Sequence, residues 1–243
     1  MNSNEKEVDI IAFGPHPDDV EFGCGGFLAK MSGRKYKIGI VDMTYAELST
    51  NGTVNERQKE ANRAAKILGC SFRINLGWPN NFLYNSKKFH DDIVRVLRTH
   101  RPRMILMPHD FDRHPDHENA QKIIRDAIFT SGLMKYDLDG LAPFRPPYAF
   151  VYAMWYEFEP SFIVDITSVW DKKIKAIFAY KSQFTKRPGT IKTIDTDDKT
   201  HRLIEARARN HGFKINATYG EAFRNIHGPL GLDDPFLASP NIF

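Results

Sequence analysis

Two tetrapeptides far apart in the chain, His16-Pro17-Asp18-Asp19 and His114-Pro115-Asp116-His117, gather the imidazole and carboxylate groups that a hydrolytic metal site needs. Together they can give two histidines and a carboxylate to one divalent ion and still leave a carboxylate and an imidazole to move protons. Each has a plainer reading on its own. Asp18 and Asp19 ahead of an apolar run can be helix caps, with His16 and Pro17 forming the turn before them. An isolated His-x-x-His, here with Pro115 stiffening the entry and Asp116 placed to cap a helix, is more often a polar loop. The joint occurrence, with each motif following an apolar strand-like run, favours one shared metal site.

The elements that carry these motifs alternate. Residues 8–13, 37–43, 72–76 and 104–107 read as strands, and the segment after Asp19 and residues 54–68, 89–99 and 118–129 read as helices. Such alternation gives a Rossmann-like α/β fold: a doubly wound, mostly parallel sheet with helices on both faces. If the first and fourth strands are neighbours, both motifs leave carboxyl ends of strands beside the topological switch point, where ligands bind in such sheets. Beyond Gly132 the pattern loosens. Pro143, Pro146 and Pro147 lead into strands at 148–154 and 162–166 and a helix at 170–180, and a polar stretch at 184–199 reads as a surface loop before a helix near 203–209. The chain reads as a single domain, 1–243, in which 1–135 form the core with the site and 136–243 add strands and helices that complete it. It shows no internal repeat.

The 243 residues, 42% hydrophobic and 26% charged, are enough for a sizeable core. Thirty-four basic and 30 acidic residues give a formal charge of +4. They are dispersed, which argues against nucleic acid as a partner and suits a small anionic substrate. Cys24 and Cys70 belong to no paired motif and read as buried thiols of a reducing compartment. Residues 1–8 carry no apolar run, and no stretch of about 18 apolar residues occurs, so the expectation is a cytoplasmic protein without a membrane partner.

Further residues carry a family resemblance. With Glu47-Leu48-Ser49-Thr50-Asn51-Gly52-Thr53, the helix opening around Arg57, and Ala179-Tyr180-Lys181-Ser182-Gln183-Phe184, the two motifs make residues 9–229 similar to the LmbE-like (PIG-L) zinc deacetylases. The branch it most resembles is the bacillithiol-biosynthesis deacetylases, which remove acetyl from N-acetylglucosaminyl malate. The resemblance implies one Zn2+ per chain, or another divalent metal such as Fe2+, held by His16, Asp19 and His117, with water at the remaining position. Asp18 would be the general base, and His114 would stabilise the oxyanion or protonate the leaving amine. Asp116 would orient and charge that imidazole. Arg57, Asn51 and Arg145 would face the acetyl or acidic end of a small N-acetylated amino sugar. The resemblance also implies a homo-oligomer, with a hexamer as one arrangement.

Amide hydrolysis explains these residue types: one zinc polarises the carbonyl and brings the pKa of its water to about 7, provided a coordination position stays open. Asn80-Asn81-Phe82 replaces an expected Asp-Arg-Gly, and Lys199-Thr200 replaces an expected Gly-Tyr ahead of Glu205-Ala206-Arg207. Both departures are expected to spare the metal chemistry and to leave another N-acetylated amino sugar open as substrate. His109 is expected to be a residue at a strand end and not a fourth ligand; His90, His100, His201, His211 and His227 are expected at the surface. Gly23, Gly25 and Gly26 read as close helix packing. Phe150, Tyr152, Trp155, Tyr156 and Phe158 read as core or subunit interface, with Trp78 the stacking candidate at the site's mouth. Two rival readings remain. A non-haem iron facial triad is disfavoured by the helix–strand alternation, and a non-catalytic metal-stabilised protein would need a closed four-ligand site.

Overall fold

A computed structural model describes residues 7–230. Seven strands form one sheet: β1 (Ile10–Gly14), β2 (Ile38–Thr44), β3 (Phe72–Trp78), β4 (Met104–Pro108), β5 (Tyr148–Tyr152), β6 (Phe162–Asp165) and β7 (Gly220–Asn225). Their order is β3-β2-β1-β4-β5-β7-β6. The first five in that order pair parallel, and β7 runs antiparallel to both β5 and β6. β1 and β2 are buried along their whole length, as central parallel strands covered on both faces must be. Alternate residues of β1 serve opposite cores: Ile10 and Ala12 join one, and Ile11 and Phe13 join the other.

Helices α1 (Asp19–Gly33), α2 (Val54–Leu68) and α5 (Trp170–Ile177) pack together on one face, and α3 (Lys87–His100) and α4 (Pro115–Ser131) on the other. A short α6 (Lys181–Phe184) and a longer α7 (Asp198–Phe213) complete the helices. α2 keeps the expected bounds because both its ends are capped: Thr53 accepts from the Glu56 amide, and Gly69 closes the helix with φ 80°. α4 starts earlier than expected, at Pro115, which puts His117 in its first turn. β7 was not anticipated. Residues 231–243, the end of the proposed C-terminal part, lie outside the described residues.

α1 lies against the sheet because its glycines let it. A Cβ on Gly23 would sit 2.2 Å from the Tyr152 ring, and one on Gly26 would sit 2.8 Å from Ile166. Cys24 leaves helical geometry at φ −138°, ψ 17°, which breaks the hydrogen-bond ladder. Glu221 of β7 takes up two freed amides, those of Gly26 at 2.8 Å and Phe27 at 2.5 Å. Lys173 of α5 neutralises that buried carboxylate at 2.6 Å and also donates to the Phe22 carbonyl. No described helix is long and apolar enough to cross a membrane.

Candidate metal centre

β1 and β4 are neighbours, so the two motifs emerge side by side at the switch point. The His16 Nδ1 and His117 Nε2 atoms lie 3.2 and 3.3 Å from the same Asp19 oxygen, Oδ2. One ligand atom from each of these three buried residues falls within 4.8 Å of the others. The opposite ring nitrogens are held from outside. His16 Nε2 meets Asn80 Oδ1 at 3.0 Å and Asp116 Oδ2 at 3.2 Å, and His117 Nδ1 meets Asp112 Oδ1 at 3.0 Å. Acceptors at those nitrogens hold a proton on the outward side of each ring and leave the inward nitrogen as the one a metal would take. The donor set therefore fits one divalent ion.

The charges around the rings agree with that fit. Burial alone would lower the His16 imidazole, but Asp19 and Asp116 outweigh it and raise it to about 9. Burial likewise opposes the rise at His117, where Asp19 and Asp112 lift it to about 10. The attraction of His117 and His16 outweighs burial at Asp19 and holds its carboxyl well below its usual range. The pocket thus stabilises positive charge between the two rings.

Asp18 stands beside this set. Burial pushes its carboxyl up to about 8 despite the pull of Arg57, with Asp19 and Asp195 adding repulsion. The Arg57 guanidinium donates to Asp18 at 2.8 Å, to the Pro17 carbonyl at 2.8 Å and to Ser49 at 3.3 Å. Asp18 has φ 125°, outside the regions a side chain normally allows. Such backbone costs about 1–3 kcal/mol and persists only where its surroundings impose it. Here the His16–Asp19 contact that spans this turn, and the Arg57 clamp, do so.

His114 caps α4: its Nδ1 accepts the Asp116 amide at 3.1 Å. The proton of the neutral ring therefore sits on Nε2. Burial, together with His16 and His117, pushes this imidazole down to about 4. His114 is a neutral hydrogen-bond donor.

The family stretches brace these parts. Ser182 donates to Glu60 of α2 through both its amide and its hydroxyl, at 2.8 and 2.6 Å, and Tyr180 donates to Glu21 at 3.0 Å. Gln183 reaches the Asn51 carbonyl at 2.8 Å.

Several expectations need correction. The Asp116 carboxylate hydrogen-bonds His16 and accepts the Asn81 and Leu83 amides; its hydrogen bond to His114 is through the backbone amide, while its charge acts on that ring. Asn51 brackets the Ile191 backbone with its amide group, at 2.8 and 2.9 Å, and does not line the cleft. Arg145 precedes β5, at the amino end of the parallel strands, and donates to the Phe129 carbonyl at 2.6 Å, away from the cleft. Asn80 meets the ring of His16, a proposed ligand, so that departure lies against the candidate centre. Trp78 is 1% exposed, stacked on Phe89 and bonded to Asp92, and cannot stack on substrate. Trp155 does line the cleft, with Arg113 3.9 Å above its ring. His211 is buried against Glu157, not at the surface, and His90 is half-buried and bonded to Thr130. His109 pairs with Asp110 and joins neither the His16, Asp19 and His117 set nor the second possible donor set among the described residues, His16, His114 and Asp116. Asp112, Arg113 and Asp195 were missed; the signal for Asp112 was a carboxylate two residues ahead of His114.

The centre opens into a cleft of about 340 Å³ lined by Asp18, Arg57, Asn80, His114, Trp155 and Asp195, among others. The family described as PIG-L, GlcNAc-PI de-N-acetylase, matches residues 11–128, a span that holds both motifs. A solved structure of the conserved protein TT1542 from Thermus thermophilus is 36% identical and superposes with a TM-score of 0.84, covering 93% of this chain and 97% of that one. The chain belongs to the PIG-L family. This PIG-L protein is also 28% identical to the diacetylchitobiose deacetylase of Thermococcus kodakarensis, over 72% of this chain and 70% of that one. It is 26% identical to the 4-oxalmesaconate hydratase of Pseudomonas putida, over 73% and 74% respectively. The chain is therefore an enzyme of a de-N-acetylase family.

Proposed function

We propose that the protein uses one Zn2+ to hydrolyse the acetamide of an N-acetylated amino sugar, releasing acetate and the free amine. The observation that carries this reading is the donor set His16, Asp19 and His117 with an unliganded carboxylate, Asp18, on one side and a neutral imidazole, His114, on the other. Two imidazole nitrogens and one carboxylate suit zinc, although iron(II) accepts the same donors. A divalent ion held there supplies a Lewis acid for the carbonyl oxygen and makes water acidic enough to attack at neutral pH.

The protein's own groups do the rest. Asp18 takes the proton of the attacking water, and Arg57 fixes the orientation of that carboxylate. His114 donates its Nε2–H to the oxygen that gains negative charge as the tetrahedral intermediate forms. The proton on Asp18 then passes to the departing amine. Diacetylchitobiose and N-acetylglucosaminyl malate are the two conjugates to compare. The unbroken seven-stranded sheet supports reading the chain as one catalytic unit. Two free cysteines suit a reducing cytoplasm, and homo-oligomeric assembly belongs to the same reading.

The test is amine release from both conjugates by the zinc-loaded protein and by Asp18→Asn. Release by the wild type, with the variant keeping its zinc but losing turnover, is expected. The hydratase relative motivates one alternative, addition of water to a carbon–carbon double bond. Loss of the ultraviolet absorbance of a conjugated unsaturated acid, with no amine released from any acetamide, would establish that alternative.

A further inference from the structure

Residues 185–197, between α6 and α7, fold back over the amino end of α2. Asn51 holds the Ile191 backbone from both sides, and Arg187 pairs with Glu56 at 2.7 Å. Thr200 donates to the Ile194 carbonyl, and Thr193 and Thr196 bond one another. So anchored, the segment places Thr193, Ile194 and Asp195 in the cleft wall. Asp195 is half-buried and accepts no hydrogen bond from any described residue. A carboxylate on the cleft wall with no donor among the described residues is free to accept from a ligand that brings hydroxyl groups.

The charges of the cleft also matter. Apart from the ligand trio, its charged lining consists of Asp18, Asp195, Arg57 and Arg113, two of each sign. Arg57 is already engaged by Asp18 at 2.8 Å. Burial raises the Asp195 carboxyl against the attraction of Arg113 and Arg57. An anionic aglycone would find Asp195 in the same cleft as Arg113, the one lining guanidinium that Asp18 does not engage. The +4 of the whole chain, which alone suggests an anionic substrate, is not concentrated in the cleft. Phe22, Leu48, Met154 and Trp155 add apolar surface suited to the C–H faces of sugar rings.

We infer that Asp195 is a specificity-determining residue that receives sugar hydroxyls and directs the enzyme toward uncharged N-acetylated saccharides and away from anionic conjugates. This rests on the deacetylase reading and narrows its substrate class.

The test uses the zinc-loaded full chain, its Asp195→Asn and Asp195→Glu variants, and two substrates, neutral N,N'-diacetylchitobiose and dianionic N-acetylglucosaminyl malate. Wild type is expected to have the higher kcat/KM for the neutral sugar. Loss of one charge-assisted hydrogen bond in Asp195→Asn should raise that KM about tenfold with kcat changed less than about threefold. The same variant should improve kcat/KM for the malate conjugate, and Asp195→Glu should recover part of the neutral sugar's KM. A wild-type preference for the malate conjugate, or an unchanged ratio between the substrates in Asp195→Asn, overturns the inference while leaving deacetylation intact. Release from neither substrate overturns deacetylation itself, and the inference with it.

Discussion

Asp112 gives the sharpest test of how the metal centre is held. Its side chain is fully buried and collects three N–H donors on two oxygens: His117 Nδ1 at 3.0 Å, the His114 amide at 3.1 Å and the Trp155 amide at 3.0 Å. These hydrogen bonds and the His117 charge outweigh burial and hold the carboxyl below its usual range, so it is ionised. Asp112→Asn keeps the shape but offers one acceptor oxygen and one NH2 group. Whichever way the amide turns, its NH2 faces a donor, and a buried N–H left unpaired costs about 1–3 kcal/mol. The His117 ring also loses the negative charge that makes it a better ligand. Partners of this kind typically contribute about 10- to 100-fold to metal affinity, or about 1.4–2.7 kcal/mol. Chelator-competition titration should therefore show zinc Kd rising about 10- to 100-fold. Urea unfolding in excess chelator should show a loss of about 1–3 kcal/mol. If the stability loss appears while Kd stays within about twofold, Asp112 supports only the loop and the reasoning about His117 is wrong.

Three other substitutions separate strain, support and chemistry. Asp18→Gly relieves the φ 125° backbone at the cost of glycine's entropy, so it should be about 1–2 kcal/mol more stable to denaturant than Asp18→Asn, with turnover abolished in both; a less stable glycine variant refutes the strain. Asn80→Ala removes one of two acceptors at His16 Nε2 and leaves Asp116, so its zinc Kd should rise less than that of Asp112→Asn; a larger rise would make Asn80 the principal support. Glu221→Ala strands the buried Lys173 and two α1 amides, and denaturant unfolding should register a loss of about 3–5 kcal/mol; a loss below about 1 kcal/mol would mean that water replaces the carboxylate.

The first four strand–helix units were legible because each carries its own local signals: apolar runs for the strands, and Thr53 and Gly69 at the ends of α2. Strand order followed from general rules of winding, and it placed both motifs correctly at the β1–β4 boundary. β7 was hidden because Gly220-Glu221-Ala222-Phe223-Arg224-Asn225 carries charge at an inward position, and Lys173 and α1 justify that charge only in three dimensions. The same limit applies at the site. His16, Asp19 and His117 announce themselves as ligand types, but which carboxylate hydrogen-bonds which ring depends on loop geometry, so the sequence points Asp116 at its neighbour His114 where the fold also bonds it to His16, and it gives no place to Asp112. Trp78 lies at a strand's carboxyl end, where a mouth residue is expected, yet Phe89 and Asp92 draw it inward.

The bend in α1 ties the beginning of the polypeptide to its later part. Asp19 opens a helix whose two freed amides find their acceptor 194 and 195 positions downstream, in a strand synthesised after all the others. A nascent chain that has not yet released β7 from the ribosome holds both histidine motifs but lacks the carboxylate that takes up the α1 amides. The last strand is thus part of what sets the helix that Asp19 opens, and a polypeptide terminated before β7 loses that support.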